Sequence, residues 1–83
     1  MDITEMLKKI LIDRLDVDEV YVYKHDNIFN VIVVGSCFLG LSRVMKHKIV
    51  YAPLTKFILN NDIHAISIKV YTPNEWKGID FVN

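Results

Sequence analysis

Residues 28–34, Ile-Phe-Asn-Val-Ile-Val-Val, constrain the fold more than any other stretch of this chain. Read with the period-two alternation of a strand, both of its faces are apolar apart from Asn30. A strand of that kind sits centrally in a sheet or is covered on both sides. Just upstream, Val20 and Val22 alternate with Tyr21 and Tyr23, a second strand pattern. Lys24 to Asn27 is a polar reversal between them, so the two strands form an antiparallel hairpin. Far downstream, Ile66, Ile68 and Val70 alternate with Ser67 and Lys69, which predicts a third strand with its isoleucines and valine toward the core.

Helices fill the remaining segments. Asp2 with Glu5 three residues later has the pattern of a capping box. Ile3, Met6, Leu7, Ile10, Leu11 and Leu15 then recur at helical spacing, predicting a first helix over 3–15. Gly35 to Leu41 reads as a loop with two glycines, after which Ser42 caps a helix starting at Arg43. Pro53 divides that region into helices at 43–50 and 53–60. Thr72, Pro73 and Glu75 supply a cap, a first-turn proline and an N3 acid for a short last helix, which Trp76 would pin to the body. The order α-β-β-α-α-β-α predicts an α+β fold, a three-stranded mixed sheet with helices packed on one face. The third strand arrives by a helical crossover, expected to be right-handed.

Eighty-three residues suit one domain over 1–83 with one small core, and the 52% apolar content argues against disorder. Ten basic and ten acidic side chains cancel, so no global field draws the chain to nucleic acid or to an anionic membrane. The longest apolar run, Val31 to Leu41, is broken by Gly35, Ser36 and Gly40 and falls short of the ~20 residues of a membrane span. Asp2 and Glu5 precede any lysine, which does not suit a targeting peptide, and a single cysteine suits a reducing compartment. A cytoplasmic protein is the expectation.

Few residues carry chemistry. Gly35-Ser-Cys-Phe-Leu-Gly40 has the glycine spacing of a phosphate loop, but Leu41 stands where the motif needs its lysine. Cys37 could pair with His25, His47 or His64, yet no third group orients such a pair, and a small, partly buried thiol explains Cys37 better. Arg43, Lys46 and His47 fall at i, i+3 and i+4 on the second helix with Lys48 beside them. They form either a local phosphate-binding face or a solvated helix surface. The three histidines are too scattered for a zinc site. His64, immediately before the third strand, is the best placed of them to act as a preorganised donor, although on spacing alone a lone histidine at a strand start is more often a satisfied, partly buried residue than a ligand.

Phe29-x-Val-Ile-Val-Val, Phe38-x-Gly40-x-Ser42-Arg43, His47-x-x-Val50-Tyr51, Ile63-His64-Ala65 and Thr72-Pro73-x-x-Trp76, in that order, resemble the BolA-like proteins, and the bacterial IbaG branch in particular. The likeness spans about residues 3–77. It implies a fold similar to the type II KH domain. It also implies a non-enzymatic role as partner of a monothiol glutaredoxin. In that role the two proteins share a two-iron two-sulfur (2Fe-2S) cluster, with glutathione among its ligands and none held tightly by this chain alone. The resemblance puts His64 in the role of cluster ligand, with a second from the loop between the first two strands. Many relatives carry that second ligand directly before the phenylalanine of strand two. Here that position is Ile28, and the loop's histidine is His25. Cys37 falls where the pattern has no fixed residue. Some BolA-like proteins are described as DNA-binding regulators, which gives an alternative reading built on Arg43, Lys46, His47 and Lys48. The paired helices meet at Val50-Tyr-Ala-Pro-Leu54 without the Gly-x-x-Gly loop of nucleic-acid-binding KH domains, so any DNA binding is expected to be weak. A metal-free adaptor is the third reading, and self-association stays open.

Overall fold

The computed structural model describes residues 2–60, 63 and 65–78. In chain order these form α1 (Ile3–Arg14), β1 (Glu19–His25), β2 (Ile28–Val34), α2 (Arg43–Tyr51), α3 (Thr55–Leu59), β3 (Ile66–Tyr71) and α4 (Pro73–Lys77). Short 3-10 turns occupy Ser36–Phe38 and Ala52–Leu54. The sheet order is β1-β2-β3, with β2 in the middle as its two apolar faces require. β1 pairs antiparallel with β2, and β3 pairs parallel to it, Phe29 opposite Ile66 and Val34 opposite Tyr71. The element order and the mixed sheet are those expected from the sequence.

Local chemistry sets most boundaries. Asp2 caps α1, its Oδ1 accepting from the Thr4 N–H and Thr4 Oγ1, both at 2.7 Å. Those bonds hold the Asp2 carboxyl below its ordinary pKa. Ser42 Oγ accepts from the Met45 N–H and starts α2. Thr72 and Glu75 form the reciprocal box expected at the head of α4, Thr72 N–H to Glu75 Oε1 at 2.8 Å and Glu75 N–H to Thr72 Oγ1 at 3.3 Å. Pro53 breaks the helical region as expected. The chain does not straighten there but tightens through the 3-10 turn, which needs no donor from the proline nitrogen.

Two expectations are corrected. The segment from Gly35 to Leu41 is not all irregular, because Ser36–Phe38 forms a 3-10 turn that buries Phe38 completely. Lys24 and His25 belong to β1, and the reversal is only Asp26-Asn27. Both turn residues have positive φ, 51° and 64°, as the two-residue hairpin turn that follows strand twist demands. Aspartate and asparagine tolerate that region better than other non-glycine residues.

The core lies between the sheet and the helices. Leu7 and Leu11 of α1, Val31 and Val33 of β2, Phe38, Val50 and Leu54 are all fully buried there. Ile66, Ile68 and Val70 of β3 pack against this cluster. By alternation the opposite face carries Tyr21, Ile32, Val34 and Tyr71. Trp76 of α4 reaches that face, stacked on Tyr21 at 5.6 Å and tilted against Tyr71 at 5.4 Å. Trp76 thus pins α4 to the body, on the side of the sheet away from the main core.

Candidate functional site

The sheet register brings the hairpin turn and the head of β3 to one end of the molecule. The Phe29 N–H donates to the Ala65 carbonyl at 3.0 Å, so the residue before β3 lies against the start of β2. Phe29 pairs with Lys24 on its other side, and Ile28 pairs with His25. His25 therefore ends β1 beside that same corner. Its imidazole is exposed, with Nε2 3.2 Å from Asp26 Oδ2. Lys24 Nζ lies 5.4 Å from the centre of the Phe29 ring, which adds positive charge to this end. Asn30 Nδ2 donates to the Ile28 carbonyl and ties down the start of β2. The corner presents an accessible imidazole on a rigid hairpin, with one carboxylate and one ammonium nearby.

His64, next in the chain before Ala65, lies outside the described residues. Cys37 lies at the other end of β2, in the 3-10 turn that follows it. Seven strand residues separate the two ends, about 23 Å at 3.3 Å per residue. Cys37 is exposed, not partly buried as the sequence suggested. The residual desolvation of its thiol, with Asp16 and then Asp18 nearby, still pushes its pKa up and disfavours the thiolate. Among the described residues, no group of three or more His, Cys, Asp or Glu side chains gathers to hold a metal ion. Among the described residues of this corner, the exposed His25 imidazole is the nitrogen donor available to a metal centre.

The four basic residues of α2 differ in exposure, Arg43 and Lys48 being exposed and Lys46 and His47 half-buried. Arg43, Lys46 and His47 line a hollow of about 440 Å³ between α2 and β3, together with Lys69, Tyr71 and Glu75. A second hollow, about 640 Å³, contains Arg43, His47 and Lys48 and runs on past Val44 and Tyr51. The Lys46 Nζ lies 3.8 Å from Glu75 Oε1. The Glu75 carboxyl is held below its ordinary pKa first by the Thr72 N–H and then, more weakly, by Lys46. Lys69 and Glu75 were not singled out by sequence as binding residues. The signal for Lys69 was its place among apolar alternating neighbours, which marks a strand residue facing away from the core.

The family model for BolA-like proteins matches residues 16–75. The chain is 47% identical over 70 residues to the acid stress protein IbaG of Escherichia coli strain K12, covering 84% of this chain and 83% of that one. Among solved structures it is similar to BolA1 from Arabidopsis thaliana, with a TM-score of 0.78 and 28% identity, over 90% of this chain and 96% of that one. BolA1 from Mus musculus, 24% identical, matches in fold with a TM-score of 0.79 over 94% of this chain and 71% of that one.

Proposed function

The chain belongs to the BolA-like family, and on that premise we propose that it is a non-enzymatic partner of a monothiol glutaredoxin, sharing a 2Fe-2S cluster with it in iron–sulfur trafficking or sensing. His64 and His25 are the ligands this chain would contribute, His25 the more weakly. The glutaredoxin and its glutathione would supply thiolates. The observation that carries the reading is the register of β3. It sets Ala65 against Phe29, and so brings the chain directly after His64 to the corner that ends in His25. An antiparallel β3 would have put that end of the strand near Gly35 instead.

A cluster with imidazole on one iron carries less negative charge and sits at a higher potential than an all-thiolate one. What the chain itself does is electrostatic and steric. The Asp26-Asn27 turn holds His25 on a short, twist-matched hairpin, so little freedom is lost when the imidazole engages. Lys24 places a cation beside an anionic group. A protonated imidazole cannot ligate, so assembly should weaken with acidification.

The test is anaerobic reconstitution with a monothiol glutaredoxin and glutathione, read by visible absorption and circular dichroism. His64→Ala should abolish the mixed-cluster spectrum and leave the apo fold intact, and His25→Ala should weaken it less. An unchanged spectrum in His64→Ala refutes the reading. The DNA-binding alternative draws on Arg43, Lys46, His47 and Lys48, of which Lys46 already faces Glu75. Their arginine and lysine charges give a log–log salt slope of only about −3 and poor affinity near physiological salt.

A further inference from the structure

Among the described residues β3 is an edge strand, and its backbone is only half used. The Phe29 N–H bonds to the Ala65 carbonyl and the Gly35 N–H to the Tyr71 carbonyl, each at 3.0 Å. A parallel ladder engages alternate residues, so Ala65, Ser67, Lys69 and Tyr71 turn their peptide groups toward β2. The N–H and C=O groups of Ile66, Ile68 and Val70 therefore turn outward along the free edge. α2 runs beside that edge, and the 440 Å³ hollow separates the two. Its walls carry Arg43, Lys46 and His47 on one side and Lys69 on the other. The single acid among the lining residues, Glu75, is already matched to Lys46.

We infer that this edge and the facing surface of α2 form a strand-addition groove for an extended acidic segment of a partner protein. Outward peptide groups recurring at every second residue match the repeat of another extended peptide, about 6.6 Å. Along Ile66 to Val70 they would pair with a segment of about five residues. Its side chains would alternate between α2, where Arg43 and His47 wait, and the far face, where Lys69 does. Carboxylates are favoured on both sides. The second hollow continues from Arg43 and Ile68 to Val44 and Tyr51, which are 63% and 41% exposed, and offers an apolar residue of the same segment a place.

A lysine on an edge strand ordinarily guards against unwanted pairing. Here it makes the edge selective. A basic strand, or the β3 of a second copy with its own Lys69, meets like charge. A nucleic acid could use the cations and single outward amides, but it lacks the alternating N–H and C=O repeat of an extended peptide that would pair with all of them. Of the rings lining the first hollow, Tyr71 already packs against Trp76, which leaves the His47 imidazole as the one stacking surface there among the described residues. The groove is independent of the histidine corner, so either assignment can fail without the other.

The test is an amide-resolved NMR titration of the full chain with an acetylated, amidated hexapeptide of four consecutive glutamates flanked by valines, which presents carboxylates on both faces of an added strand. Shifts should concentrate on the amides of Ile66, Ile68 and Val70. The double variant Arg43→Glu, Lys69→Glu, both at exposed positions, should bind about tenfold or more weakly while keeping its fold. A peptide N-methylated at alternate residues, which keeps every charge but removes the pairing donors, should lose binding to the parent chain. Equal binding of the N-methylated peptide would reduce the site to non-specific charge and overturn the inference. So would shifts that avoid β3, or tighter binding of a thymidine oligonucleotide of about eight nucleotides at the same residues.

Discussion

Replacing Gly35 by alanine tests how tightly the centre of the fold is built. Gly35 follows β2 directly, and its N–H closes the β2–β3 ladder on the Tyr71 carbonyl. Its backbone is extended, φ −166°, so alanine meets no torsional penalty there. Space is the obstacle. A Cβ would lie 3.2 Å from Val17 Cγ1, 3.3 Å from the Phe38 ring and 3.3 Å from Val17 Cα. Phe38 is fully buried and cannot swing aside, valine is stiff about χ1, and the third contact is backbone. Overpacking of this kind costs about 1–3 kcal/mol. The loss of glycine's freedom in the unfolded chain returns about 0.4–1 kcal/mol. The net destabilisation should be about 1–2 kcal/mol, which lowers a urea midpoint by about 1–2 M at an m-value near 1 kcal/mol/M. Val17→Ala removes the Cγ1 contact, so Gly35→Ala should cost less in that background than alone. An unchanged midpoint in Gly35→Ala, or strict additivity with Val17→Ala, would refute the steric argument.

The capping box at α4 carries a pH signature. Glu75 has a lowered pKa in the folded state, so its contribution is complete above the unfolded glutamate value, about 4.3, and fades as pH falls through the lower folded value. Glu75→Gln should therefore be less stable than the parent at neutral pH, with the gap closing in acid when denaturation midpoints are compared at the two pH values. A gap of constant size would exclude a charge effect. At Cys37 the raised pKa predicts alkylation by iodoacetamide at neutral pH more slowly than free cysteine, and faster reaction in Asp16→Asn. Cys37→Ser should preserve cluster assembly with glutaredoxin, because the thiol lies at the far end of β2 from the His25 turn. Loss of the cluster in that variant, with folding and glutaredoxin binding retained, would sink the histidine assignment.

The features legible in the sequence alone are those whose physics closes within a few residues. Ser42 caps the helix three residues ahead, and Thr72 and Glu75 satisfy one another across one turn. Pro53 breaks the helical ladder by its own ring. The two apolar faces of residues 28–34 required neighbours on both sides, which put β2 in the middle of the sheet. The exact length of the hairpin was not legible, because polar Lys24 and His25 look like turn residues until the positive φ of Asp26 and Asn27 shows that two residues suffice. Only the tertiary structure decided which distant groups meet. Trp76 was legible as an anchor, but its stacking on Tyr21 depends on how β1 is registered against β2. Lys46 meets Glu75, and Lys69 joins Arg43 across a hollow, because the crossover lays β3 parallel to β2 and α2 along its edge. Those pairs are more than twenty residues apart in the chain. No local periodicity encodes them. They arise when the sheet, held by its own ladder and its buried valines, fixes the directions in which its edge and its covering helix can face.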